Sequence, residues 1–452
     1  MKYSLRKYIS ILTPAQIIVV YYFIAVSVSM VLLSLPIALK PNVKWTFMDA
    51  LFTAVSAVSV TGLTTVNISE TFSETGIYIL MFVLQFGGIG VMTLGTFFWL
   101  LLGKKIGLRE RRLIMTDQNQ SSLAGLVKLL KQILVIIILI EILGAIILGT
   151  YFMNFYSSGK DAFLHGLFAS VSATTNAGFD ITGQSLIPYA NDYFVQLVSI
   201  ILIIFGSIGF PVLVETKEYL FDRRNEGRRH HFSLNTKLTT VTFLGLLILG
   251  TIGIYLLEFD HFLKDKKWYE SFFYAFFHST TTKSAGLTTM DINQFSGPTQ
   301  LFISALMFIG ASPSSTGGGI RVTTLALNLL FFYHFARGNR TIKVFKRELH
   351  EDDVIKSLVV SMMALFICFT SLFILCITED IPLLPLIFEV SSAFGTTGLS
   401  LGITSELSSV GKMIIILLMF IGRVGMLSFL FIIGSKRNVP NYHYPKERVI
   451  IG

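Results

Sequence analysis

Gly62, Gly178, Gly286 and Gly398 each close a short run of small residues: Val60-Thr61-Gly62, Asn176-Ala177-Gly178, Ser284-Ala285-Gly286 and Thr396-Thr397-Gly398. The glycines are spaced by 116, 108 and 112 residues. Periods of that size exceed those of solenoid repeats, so the chain carries four similar units. The chemistry open to such tripeptides lies in their backbone. Glycine adopts unusual backbone angles without a side-chain penalty, which lets successive carbonyls face one way. Rings of carbonyls contributed by several segments can replace the water shell of a monovalent cation. One such glycine alone reads most simply as the cap that ends a helix. Four at matching positions in matching units point instead to shared use around one axis.

The elements around each glycine must then bring it to that axis. The chain has 452 residues, of which 53% are hydrophobic and only 14% charged. Soluble domains carry about 25% charged residues, so the balance favours a membrane protein. Each unit reads as a spanning helix, a half-length helix, the glycine-bearing extended stretch and a second span. The spans fall at Ile17–Leu39 and Gly76–Leu102, Leu129–Phe152 and Tyr193–Val214, Leu238–Leu257 and Leu301–Phe335, and Val354–Ile377 and Gly411–Ile433. The half-helices fall at Met48–Val58, Ala162–Thr174, Tyr269–Thr282 and Leu384–Phe394. Such runs are too short to cross about 30 Å of hydrocarbon. Extended backbone at membrane depth is tolerated only where protein buries it or water lines it. The expected fold is therefore all-α and integral to the membrane. Eight spans and four re-entrant helices form a pseudo-fourfold bundle around a central pore, with repeats at 1–125, 126–235, 236–350 and 351–434 and a tail at 435–452.

The net charge is +9, and the basic residues sit in short loops between apolar runs. Lys104, Lys105, Arg109, Arg111, Arg112, Lys128 and Lys131 follow unit one, and Lys217, Arg223, Arg224, Arg228, Arg229 and Lys237 follow unit two. Arg337, Arg340, Lys343, Lys346 and Arg347 follow unit three, whereas the opposite side holds only Lys40, Lys44, Lys160, Lys264, Lys266 and Lys267. The positive-inside rule then places both termini in the cytoplasm and the glycine stretches open to the outside. The basic N-terminus is followed by a run of spanning length without a cleavage motif, so it is expected to remain as a helix. Cys368 and Cys376 share one apolar segment and read as packing residues.

On these residues the chain resembles the superfamily of Trk, Ktr and plant high-affinity potassium transporters, over nearly its whole length. Within it the chain is most similar to the Ktr membrane subunits, because no extra pair of spans precedes unit one. The resemblance implies a potassium filter at the twelve residues named above, one glycine per unit. Some plant members have serine at the first of these glycines, so Gly62 favours potassium over sodium. The resemblance further implies a homodimer with the tail reaching the partner, a cytosolic nucleotide-binding regulatory ring, surrounding membrane lipid, and activity promoted by sodium.

Two more features fit this reading. The second span of unit three is interrupted by Gly310, Ala311, Ser312, Pro313, Ser314, Ser315, Thr316, Gly317, Gly318 and Gly319. Glycines, a proline and hydroxyls in that density do not make a stable helix in lipid. The resemblance makes this run an intramembrane gating loop below the filter. Arg423 lies deep in the last span, where a charge costs at least about 2.5 kcal/mol and so faces protein or water. The resemblance sets it beside the gating loop. Lys283 and Glu389 lie in the pore segments of units three and four, and are expected to pair or otherwise brace the filter. Glu141 is expected to bond a neighbouring helix, and His165 and His278 to pack without a metal.

Other classes fit less well. No nucleotide-binding GxxxxGK[ST] run occurs, and no nucleophile–base pair or carboxylate dyad suggests an enzyme or a bound cofactor. No aromatic-interleaved basic patch suggests nucleic acid. A sodium-permeable or weakly selective cation transporter remains the nearest alternative. A secondary carrier with inverted repeats is the other, but an even number of spans separates these copies, so all four point the same way.

Overall fold

A computed structural model describes residues 13–90, 126–221, 232–339 and 341–433, with residues 445 and 447. The basic residues at 104–112, 223–229 and 340 and most of the tail lie outside the described residues, as does the second half of the 76–102 span.

Each unit opens with a long apolar helix: α1 (Pro14–Leu33), α4 (Leu126–Phe152), α8 (Leu234–Glu258) and α12 (Glu351–Thr378). All four are long and apolar enough to cross a membrane. At 1.5 Å per residue, α12 with 28 residues rises about 42 Å. These helices form the perimeter. On α12 a stripe at Met362, Phe366, Phe369, Phe373 and Ile377 is at least 60% exposed, as a lipid-facing surface should be. α1 starts at a Thr13–Gln16 capping box and ends at Leu33, three residues before Pro36, because the residue ahead of a proline avoids helical angles.

The half-helices follow as α2 (Phe47–Ser59), α5 (Gly159–Thr175), α9 (Trp268–Thr281) and α13 (Leu383–Gly395), and they are largely buried. Gly166 of α5 faces the Gly149 backbone so closely that a Cβ would stand 2.5 Å from the Gly149 Cα, letting α4 and α5 pack backbone to backbone.

The second helices depart from the sequence expectation. α3 (Glu74–Ile89) stops at Gly90, which has φ 95°. The expected continuous span over Tyr193–Val214 is instead α6 (Tyr193–Ser207) and α7 (Phe210–Phe221), bent by 103° at Gly209. α10 (Gly297–Ile309) and α11 (Val322–Ala336) flank the expected break in unit three. The span expected over Gly411–Ile433 divides at Gly425, φ 88°, into α14 (Ser409–Val424) and α15 (Met426–Ile433). Thus the second spans of units two and four break as well as that of unit three, and α3 of unit one ends at a glycine of the same kind, Gly90. The reason is local: each break falls on a glycine with positive φ, an angle that other residues hold only at a cost of roughly 1–2 kcal/mol. The only sheet among the described residues is a hairpin, Lys343–Val344 with Arg347–Glu348, beyond α11.

Candidate functional site

The half-helices end alike. The second residue before each glycine takes left-handed angles: Val60 at φ 55°, Asn176 at 56°, Ser284 at 81° and Thr396 at 47°. The glycines are also positive, Gly62 and Gly398 at φ 94°, Gly178 at 69° and Gly286 at 70°. The last helical turns take up the amides behind them. Ser56 accepts from Thr61 N (2.8 Å) through its carbonyl and from Gly62 N (3.1 Å) through its hydroxyl. Ser392 repeats this with Thr397 N (2.8 Å) and Gly398 N (3.1 Å). In unit two the Ser172 carbonyl accepts from Ala177 N (2.8 Å) while its hydroxyl donates to Phe179 O (2.6 Å). In unit three the Thr281 carbonyl accepts from Ala285 N (2.9 Å) and its hydroxyl donates to Leu287 O (2.7 Å).

The four glycines close a ring in chain order. A Cβ built on Gly62 would stand 2.9 Å from the Gly178 Cα, on Gly178 3.2 Å from Gly286, on Gly286 3.1 Å from Gly398, and on Gly398 3.1 Å from Gly62. The carbonyl oxygens of Thr61, Ala177, Ala285 and Thr397 are the atoms those Cβ positions crowd, so backbone oxygens, not side chains, fill the ring. The carboxyl ends of four helix dipoles converge on it and add negative potential.

On one side of the ring lies a cavity of about 350 Å³, bordered by Gly62, Gly178 and Gly398. Asp180 also lines it; its Oδ2 accepts from Thr182 N and Oγ1, Gly183 N and Ser185 N at 2.7–3.1 Å. That turn fixes a carboxylate at the cavity wall, and the sequence reasoning above does not single it out.

On the other side lies the 310–321 loop, and the broken spans explain how it is held. A helix break strands the carbonyls of one end and the amides of the next, which lipid cannot satisfy. At the α6–α7 break, Gly206 O accepts from Thr316 N (3.1 Å), Ser207 O from Ser312 N (3.1 Å), and Phe210 N donates to Ser314 O (2.7 Å). Unit three's loop thus completes unit two's broken helix. At the end of α3, Gly87 O and Gly88 O accept from the Arg423 guanidinium, which also donates to Thr316 O. A cation is well matched to these terminal carbonyls. Arg321, which the sequence reasoning also passed over, takes φ 80° and donates to Ser312 O (3.3 Å) and Gly317 O, closing the loop on itself. Glycines permit the close fit: Gly87, Gly206 and Gly422 abut the last carbonyls of α2, α5 and α13. The ends of α3, α6 and α14 carry a Gly-x-x-Gly signature at 87–90, 206–209 and 422–425, a signal the sequence holds.

The expected partnership of Lys283 with Glu389 is corrected. Glu389 accepts from Ser400 Oγ (2.8 Å) and Thr404 Oγ1, while Lys283 is fully buried and its Nζ has no hydrogen-bond partner among the described residues. The two lie at different depths. Glu389 precedes its glycine by nine residues and Lys283 by three, an offset of about 9 Å along a helix. Glu141 accepts from Gln85 Nε2 (2.6 Å) on the neighbouring α3. His165 stacks on Tyr156, and His278 Nδ1 meets Tyr274 O at 2.9 Å.

Four re-entrant segments meeting at one backbone ring inside a multi-pass bundle define the chain as a membrane protein of the ion-translocating kind. The TrkH cation transport protein family matches residues 6–438, and the chain belongs to that family, one of transporters and not of enzymes. Ktr system potassium uptake protein D of Bacillus subtilis (strain 168) is 62% identical over 452 residues, covering 100% of both chains. Ktr system potassium uptake protein B of the same organism is 37% identical over 447 residues, covering 97% of each. The crystal structure of the potassium transporter TrkH from Vibrio parahaemolyticus shares the fold, with a TM-score of 0.70 at 20% identity, over 91% of this chain and 84% of that one.

Proposed function

We propose that the chain is the ion-translocating subunit of a potassium uptake system and that the Gly62–Gly178–Gly286–Gly398 ring is its filter. The observation that carries this is the closure of the four glycines into one ring lined by backbone oxygens. Potassium, dehydrated at the ring, is coordinated by carbonyls of residues 60–62, 176–178, 284–286 and 396–398. The Asp180 cavity is the outer mouth. The 310–321 loop, with Arg423, is the gate, and Glu389 braces the mouth through Ser400 and Thr404. The names of the relatives, as Ktr system proteins, support a multi-subunit assembly. In it the chain pairs as a homodimer, meets a cytosolic nucleotide-binding ring through its basic loops, keeps both termini cytoplasmic and is promoted by sodium.

The test is rubidium and sodium influx into proteoliposomes with Gly62 intact and as Gly62→Ser. Serine at φ 94° is strained, and its Cβ strikes the Ala177 carbonyl. Rubidium-over-sodium preference should fall by about tenfold or more, as expected when carbonyl oxygens of a ring are displaced. Equal preference in both proteins would remove the filter assignment. Wild-type influx of both ions at similar rates would favour the sodium-permeable reading, which the name of a 33% identical relative, Potassium/sodium uptake protein NtpJ of Enterococcus hirae, keeps in view.

A further inference from the structure

Three of the four filter segments are tied by hydrogen bonds or close packing to the 310–321 loop. Asn176 bonds Thr316 Oγ1 through its side-chain amide at 2.7 Å, and either orientation of that amide keeps the bond. Ser284 Oγ accepts from Gly318 N at 3.3 Å and donates to Thr396 O at 2.6 Å. Gly317 and Gly318 lie so near that a Cβ on the first would stand 2.6 Å from Ser284 Cβ, and on the second 2.5 Å from Thr396 Oγ1. The filter residues involved are the ones in left-handed conformation. Non-glycine residues hold such angles only where their surroundings over-determine them. Here much of that surrounding is the loop. Val60, the fourth member, packs instead against Gly87 in the α3 turn whose carbonyls bind Arg423.

We infer that the loop is a structural support of the filter as well as an obstruction beneath it, so that its position sets ion preference through Thr316–Asn176 and Gly318–Ser284–Thr396. This rests on the gate and filter reading above but makes a separate demand. A loop that only blocks the path scales all ion fluxes by one factor when it moves. A loop that also holds the filter changes their ratio, because withdrawing it removes the partners that keep Asn176, Ser284 and Thr396 in place.

The experiment is rubidium and sodium influx into proteoliposomes holding the full chain, with protein content measured in each preparation. Thr316→Val removes the hydroxyl that bonds Asn176. Gly318→Ala forces a Cβ against Thr396. Neither residue is among the filter tripeptides. Both variants should lower the rubidium-to-sodium ratio, by about threefold to tenfold for Thr316→Val, the range one hydrogen bond spans. Thr316→Ser, which keeps the hydroxyl, should retain the wild-type ratio. Wild-type ratios in both Thr316→Val and Gly318→Ala, or in whichever of them is recovered folded, would overturn the inference even if their total fluxes rise. Deleting residues 312–317 separates the two ideas. Unchanged total flux there would sink the gate, whereas an unchanged ratio would sink the coupling.

Discussion

Arg423 shows how a half-buried charge inside the bundle is used at the end of a helix. Its guanidinium donates to the carbonyls of Gly87 and Gly88 in the last turn of α3 and joins them to Thr316 of the loop. A fixed cation about 10 Å from a permeating ion raises that ion's energy by ~1.7 kcal/mol at an effective dielectric of about 20. Arg423→Gln keeps a donor for one carbonyl and removes the charge. The maximal rubidium uptake rate should therefore rise by roughly tenfold to twentyfold, since about 1.4 kcal/mol of barrier is a factor of ten. Kinetics identical to the wild type in a potassium-uptake-deficient strain would exclude Arg423 from the gate. Its unusual depth was legible in the sequence, because an arginine in an apolar span is conspicuous. Arg321 was not, since it sits at a break where a basic residue looks ordinary. Its role is visible only once Ser312 O and Gly317 O lie within its reach.

At the scale of elements, the unit-three loop and the unit-two bend are two halves of one construction. The loop supplies amides to Gly206 O and Ser207 O and accepts from Phe210 N, so neither segment is satisfied without the other. Deleting Ser312–Gly317 removes both the obstruction and these partners. Potassium uptake per molecule in the membrane should then rise several-fold if the loop gates the path, and the α6–α7 bend should become more accessible to hydrogen exchange because its terminal groups lose their bonds. Uptake that stays at the wild-type level would end the gate assignment. The loop itself was legible from its glycines, proline and hydroxyls. The breaks at Gly209 and Gly425 are not visible in hydropathy, because apolar residues continue across each glycine; the Gly-x-x-Gly spacing is their one signal in the chain.

For the whole molecule, the proposed orientation rests on loop charge. With Cys368 and Cys376 replaced by serine, Lys160→Cys should react with a membrane-impermeant maleimide from outside intact cells, and Lys343→Cys only after permeabilisation. Lys160 is exposed and pairs with Glu74 at 2.6 Å, and such surface pairs contribute roughly 0–1 kcal/mol, so its replacement should leave the fold intact. The reverse labelling pattern would invert the proposed topology.

The sequence by itself determined the fourfold repetition, the membrane class, the half-length helices and the position of each glycine. All of these are matters of period, length and composition along one dimension. The glycine at the end of DALFTAVSAVSVTG is recognisable as special only through its three counterparts, and those are written in the chain. What the tertiary structure decided was which units touch. Closure of the ring, the anchoring of unit three's loop on unit two's bend, the seat of Arg423 on unit one and the separation of Lys283 from Glu389 all join residues on different units. Hydrogen bonds and close glycine contacts act over about 3 Å, and no pattern along the chain specifies which stranded carbonyl a distant donor will find.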